Sequence, residues 1–244
     1  MTIQQTHPVD DPRFLDRFGL VLAFTVASVV LLSLVDLSEV WSDRLQQVVA
    51  VVTATLTVLA LIMAMRAAGV RRRVRRLMEI AMVIGLALSV LIIVLDSSRA
   101  DAEASGGFPP LFPLVLSLLA PIFVARRLLT HQRISVATLL GAVSVYLLIA
   151  VAFFYSFMTV EALQSGDFFG KPQPTSDLMY FSLSTITTVG YGDLVAVAQP
   201  GRLLANTEAV LGQLYLVTFV GFLIGVLTTQ RRGATTAVAG DGPE

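Results

Sequence analysis

The 244-residue sequence contains no cysteine, which excludes disulfides, thiol catalysis and cysteine-ligated metals. Its two histidines, His7 and His131, lie far apart in the chain, so an imidazole metal cluster is not expected. Charged residues make up 14% of the sequence, against roughly a quarter in an ordinary soluble domain. With 55% hydrophobic residues and a mean hydropathy of +0.79, too little polar surface is left to cover a water-facing globule. No nucleophile constellation or phosphate-binding loop is present, so an enzyme, a cofactor and a nucleic-acid partner are not expected.

What the sequence does have is apolar length. The apolar residues fall in blocks of roughly 16–26, and about 20 are needed to cross a bilayer as a helix. Six spans are predicted, over 18–35, 47–65, 77–95, 110–125, 135–158 and 203–228. Residues 1–17 are polar and mixed in charge and do not read as a cleavable signal. The net charge of zero, 17 basic against 17 acidic residues, hides a strong sidedness. The first loop (Asp36, Glu39, Asp43, Arg44) and the third (Asp96, Arg99, Asp101, Glu103) are acidic. The second holds Arg66, Arg71, Arg72, Arg73, Arg75 and Arg76, the fourth Arg126, Arg127 and Arg133, and the tail Arg231 and Arg232. The positive-inside rule then predicts a multi-pass protein of the cell membrane with both termini in the cytoplasm. Trp41 and Tyr180 fall near the outer interface.

Between the fifth and sixth spans, a polar segment from Glu161 to Ser176 is followed by a short apolar run, Leu178 to Thr187. Ten residues of helix rise about 15 Å, so this run enters a membrane without crossing it. Thr175, Ser176 and Asp177 offer capping chemistry at its start. Non-helical backbone at membrane depth survives only where it is buried in protein or lines a wet cavity, so a re-entrant helix followed by glycine-rich chain implies a pore or an ion site.

The chain continues as Thr187-Thr188-Val189-Gly190-Tyr191-Gly192-Asp193. Glycines at alternate positions admit dihedrals closed to other residues, so that successive carbonyls can point the same way. No Lys or Arg interrupts the row, and Thr188 adds a hydroxyl. Oxygen ligands without strong charge suit a weakly hydrated monovalent cation, and the partly negative C-terminus of the half-helix also favours one.

Thr188–Asp193 closely resembles the selectivity-filter signature of tetrameric potassium channels. Thr185 and Thr187 before it, and Gly201-Arg202 and Gly212 after it, fall at that family's spacing. The resemblance implies that the carbonyls of Thr188, Val189, Gly190 and Tyr191, with the Thr188 hydroxyl, form stacked cages for dehydrated K⁺, and that Gly192 closes the outer mouth. It implies that the Val189 and Tyr191 side chains point away and brace the filter. One signature per chain supplies a quarter of each ring, so three further copies are implied, as a homotetramer. In the family the acid at Asp193 bonds to a pore-helix aromatic, here Tyr180 beside Phe181, and in some members to a carboxyl, whose position here holds Ser184. Residues 194–196 are Leu, Val and Ala, without the proline often found there.

Gly212 reads as an inner-gate hinge or as a close helix contact, with Gly221 and Gly225 as further candidates; Thr218 reads as facing an inner cavity or as packing. Glu208 is an acid inside an apolar span, expensive without a partner; it is expected in the outer half, behind the filter, near pore-helix hydroxyls or Tyr180, and is read either as acting in filter gating or as a structural hydrogen bond. Glu79, one turn from Arg75 and Arg76, is expected to form an interfacial ion pair. Arg71, Arg72, Arg73, Arg75 and Arg76 serve as topology determinants or bind anionic lipid as well. Residues 110–125 contain Pro110, Pro113 and Pro121 but no basic residue. Moving one charge through 100 mV is worth about 2.3 kcal/mol, so a span without charge gains nothing, and steep voltage gating is not expected. The roughly 14 residues after Gln230 are too few for a ligand-sensing domain.

The expected fold is thus an all-α membrane protein of six transmembrane helices plus a re-entrant pore helix. Its parts are an N-terminus (1–17), a four-helix peripheral domain (18–133), a pore domain (135–228) and a short tail (229–244). The pore domain divides into outer helix 135–158, pore helix 177–187, filter 188–192 and inner helix 203–228. The expected function is passive K⁺ conduction; a K⁺ transporter subunit and a non-conducting channel-like subunit are the alternatives.

Overall fold

A computed structural model describes residues 12–34, 43–67, 111–129, 136–164, 168–171 and 173–239, together with 73, 76, 77, 79, 80, 83–85 and 87. Six helices are complete enough to number: α1 (Pro12–Leu34), α2 (Asp43–Ala67), α3 (Leu111–Leu129), α4 (Val136–Leu163), α5 (Thr175–Ile186) and α6 (Gln199–Ala239). The described residues between 73 and 87 are helical as well, and among the described residues there is no β-sheet; the strand over 187–193 is only a non-helical stretch. Most of the third expected span, the acidic loops' Asp36, Glu39, Trp41, Asp96, Arg99, Asp101 and Glu103, and Arg71, Arg72, Arg75 and Arg133 lie outside the described residues.

One stretch among the described residues, Thr138–Leu163, is long and apolar enough to cross a membrane by itself; Phe18–Leu34, Thr55–Arg66 and Pro113–Arg126 are shorter apolar stretches. α4 is the hub. It packs against α1, α3, α5 and α6, and residues 150–157 are buried without interruption. A helix enclosed on all sides has no reason to be amphipathic, which is why periodicity was uninformative there. α6 is 41 residues long, or about 60 Å, well beyond the expected 203–228. It opens on Gln199-Pro200, where a missing amide and a fixed φ suit the first turn.

Hydroxyls in the apolar helices are satisfied locally. Thr25, Ser28, Ser33, Ser144, Ser156 and Thr159 each donate to the carbonyl four residues earlier, and Ser117 donates to Leu114. Such back-bonding lets a hydroxyl stay in an apolar setting without a distant partner. The ion pair expected of Glu79 is present and includes Arg66 at the end of α2, Nε to Oε1 at 2.9 Å; Arg75 lies outside the described residues. Arg66 is half exposed (52%), so the pair contributes little to stability.

An aromatic cluster holds α5 against α4. Phe157 meets Phe168 and Phe181 with ring centroids 5.2 Å apart in both cases, and Phe169 meets Phe181 at 5.3 Å. The tilted and edge-on arrangements are those aromatic quadrupoles prefer. Phe157 is fully buried. Phe157→Ala is expected to destabilise the protein by about 3–5 kcal/mol, seen as a lowered thermal unfolding midpoint of the purified chain.

Candidate functional site

The short apolar run forms α5, over 175–186 rather than 177–187. Its N-cap is Pro174, which makes no side-chain cap bond. The expected capping residues are therefore one position further in: Thr175 begins the helix and Asp177 lies in its first turn, where a negative charge complements the helix dipole. α5 has twelve residues, about 18 Å, so it remains a half-span. It is positioned by α4 and α6, with α1 against it as well.

At its C-terminal end the chain turns back on itself. The Thr188 amide donates to the Thr185 carbonyl (3.0 Å), and the amides of Val189 and Gly190 both donate to the Ser184 carbonyl (2.9 and 3.1 Å). Thr187 stays attached through its amide and its hydroxyl, both donating to Leu183 (3.2 and 2.6 Å). Three left-handed φ values follow at every second residue: Thr188 at 59°, Gly190 at 53° and Gly192 at 82°. The glycines were legible as positions of this kind. Thr188 was not, because a β-branched residue rarely adopts a positive φ. Among the described residues, no amide or side chain donates to the carbonyls of Thr188, Val189, Gly190 or Tyr191. The strand from 187 to 193 is exposed in the single chain. A row of uncharged oxygen acceptors, with the amides of residues 188–190 already spent on α5, can do one thing chemically: present lone pairs to a donor or a cation.

The outer end of the strand is tied down. The Tyr180 hydroxyl donates to Asp193 Oδ2 at 2.9 Å, the contact anticipated from sequence. The Leu194 amide donates to Asp193 Oδ1 at 3.0 Å. Tyr191 stacks on Tyr180, ring centroids 5.9 Å apart and 10° from parallel, so its ring lies against α5 while remaining 71% exposed. Val189 is half exposed. Ser184 donates its hydroxyl to Phe181, and Phe181 is buried in the aromatic cluster. Arg202 Nε donates to the Ala196 carbonyl at 3.0 Å, closing the turn into α6.

The inner end is held by residues that sequence reasoning missed. Tyr146 on α4 donates its hydroxyl to the Ile186 carbonyl at 2.9 Å and stacks on Tyr215 of α6. Tyr215 donates to Ala142 at 2.7 Å and stacks on Phe219. Partners 40 and 73 residues apart leave no local pattern to read. Glu208 is fully buried; its Oε1 lies 2.6 Å from Ser182 Oγ, and Ser182 was not singled out in sequence. Thr218 lines an apolar cavity of about 490 Å³ between α3, α4 and α6, with Pro121, Phe153 and Tyr215. At Gly221 and Gly225 an added Cβ would meet nothing within 4 Å among the described residues.

Residues 136–229 match a family model described as an ion channel. That segment runs from the start of α4 into α6 and contains the whole of the site. The match supports an ion-channel family, with passive ion conduction and a membrane location, and this family is generally non-enzymatic. No curated protein matches the chain, and no solved structure does.

Gly212 has a second reading on structural grounds. A Cβ there would come within 2.6 Å of Ile186 Cγ1 and 2.7 Å of the Ile186 carbonyl oxygen, too close for backbone that is already hydrogen-bonded. Gly212→Ala is expected to cost about 1–3 kcal/mol through overpacking and to lower the thermal midpoint, whereas Gly221→Ala leaves it in place. Equal midpoints for the two variants would count against the contact.

Proposed function

We propose that the chain is one quarter of a potassium-selective channel, conducting K⁺ passively through a fourfold pore in the cell membrane. The observation that carries this is the segment Thr188–Gly192: alternating left-handed residues, the amides of 188–190 returned to α5, and four consecutive carbonyls without a donor among the described residues. Oxygens at fixed positions replace the hydration shell of a weakly hydrated monovalent cation; a thousandfold preference over Na⁺ asks for only about 4 kcal/mol, spread over several rings.

A single strand surrounds nothing, so the reading requires a homotetramer, and the exposed apolar side of α6 supports one. Leu203, Val210, Leu214 and Val217 recur at helical spacing and are 58–68% exposed. A continuous apolar stripe of this kind calls for cover, which neighbouring copies and lipid supply. In this reading the helices before residue 134 form a peripheral domain without an arginine stripe, the termini are cytoplasmic, and Arg73 and Arg76, both exposed, belong to a basic inner face able to meet anionic lipid. Gly212 and Thr218 lie on the inner helix below the filter, where a gate would act.

Single-channel recording in a planar bilayer is expected to show unitary currents in K⁺ that vanish when Na⁺ replaces it, and Rb⁺ uptake into vesicles is expected to be blocked by Ba²⁺. A transporter or a silent subunit gives no unitary K⁺ current. Tyr180→Phe, which removes the bond to Asp193, is expected to change the rate at which current declines during sustained opening at least severalfold while K⁺ remains the preferred ion. An unchanged time course would remove Asp193 from filter control.

A further inference from the structure

We infer that Glu208 is held as a neutral carboxylic acid that donates its proton to Ser182 Oγ, while Ser182 donates to the Ala150 carbonyl, so that one hydrogen-bonded relay ties α6 through α5 to α4 behind the filter strand. The argument is a count of protons. Ser182 Oγ lies 2.8 Å from the Ala150 carbonyl oxygen and 2.6 Å from Glu208 Oε1. A serine hydroxyl has one hydrogen, and a backbone carbonyl can only accept. If Ser182 serves Ala150, the hydrogen between Ser182 and Glu208 must come from the carboxyl. An ionised Glu208 would take the serine proton for itself and leave two acceptor oxygens facing each other at Ala150.

Burial points the same way. Glu208 is 0% exposed within the single chain, so its seclusion does not wait for neighbouring copies. Among the described residues no Lys or Arg pairs with it, and its Oε2 is buried without a partner. A buried carboxylate offers about four acceptor sites and is strongly disfavoured when it has neither a cation nor several donors; a neutral acid with one unpaired carbonyl-type oxygen asks far less. Tyr146 of α4 is the titratable side chain that feels Glu208 electrostatically, and it brings no positive charge; its hydroxyl is committed to Ile186.

Glu208 is a positioning residue. Ser182 is two residues before Ser184, whose carbonyl accepts the amides of Val189 and Gly190, so the relay fixes the segment of α5 from which the strand hangs. Its effect on conduction rests on the channel reading above; its hydrogen-bond chemistry does not. Infrared spectroscopy of the purified full chain at about pH 8, where exposed carboxyls are ionised, is expected to show a protonated-acid C=O stretch. That band is lost in Glu208→Gln and shifts in Ser182→Ala, which removes the acceptor. A spectrum with carboxylate bands alone overturns the inference, as does an acid band that survives Glu208→Gln or stays unmoved in Ser182→Ala. Should either variant not be recovered, carboxyl-labelled glutamate assigns the band, and Ser182→Cys, a weaker acceptor, supplies the shift. Rb⁺ uptake on the same preparations separates the two readings. Uptake without an acid band defeats this inference alone, and an acid band without uptake defeats the channel reading while leaving the relay in place.

Discussion

Everything in the site depends on where the amides of residues 188–190 go. Backbone polar groups held away from water need partners, and here the amides of residues 188–190 are taken by the last turn of α5, with the Ser184 carbonyl accepting twice. The carbonyls of the same residues are left unclaimed among the described residues. Reversing the hand of every second residue is the geometric consequence, and at Thr188 it is achieved against a penalty of about 1–3 kcal/mol. Such a conformation persists only if the supporting helix is fixed more firmly than the strand is strained.

That firmness comes from contacts converging on a single carbonyl. Ile186, the last residue of α5, receives the Tyr146 hydroxyl from α4 and the backbone of α6 at Gly212. The absence of a side chain at 212 thus explains how α6 approaches the helix end, and Tyr146 explains why the carbonyl tolerates that approach: its lone pair is already met. Midway along α5, Tyr180 holds Asp193, and along its buried side Phe181 joins the aromatic cluster with Phe157, Phe168 and Phe169. Packing sets the position of α5, and hydrogen bonds set its rotation about its own axis.

How much of this was legible in the sequence follows from the range of each interaction. The half-length helix, the alternating glycines and the Tyr180–Asp193 contact could be read because length, conformational permissiveness and a thirteen-residue separation are all carried by one short segment. That Glu208 would meet hydroxyls of this short helix could be read too, though not that Ser182 would be the one; the tyrosine contacts could not, because Tyr146 and Tyr215 look like ordinary residues of apolar helices until the fold joins them. Glu79 was legible as a member of an ion pair, but not that α2 brings Arg66 to it from thirteen residues earlier. Helix ends were also misjudged. Hydropathy falls away before hydrogen bonding does, so α4 continues to Leu163 and α6 to Ala239, past the apolar stretches that marked them.

The helices before residue 134 can act on the site only through packing. α3 carries no basic residue over its first fifteen positions, Leu111–Ala125, so a membrane field has little charge there to move. α1, however, packs against both α4 and α5, and α3 lies along α4. Val29 and Leu32 of α1 are part of the same buried cluster as Phe157, Phe181 and Ile186. A close-packed core transmits displacement because it does not compress. Anything that shifts α1, whether lipid thickness, tension or a bound partner, therefore presses on the helix that holds the strand.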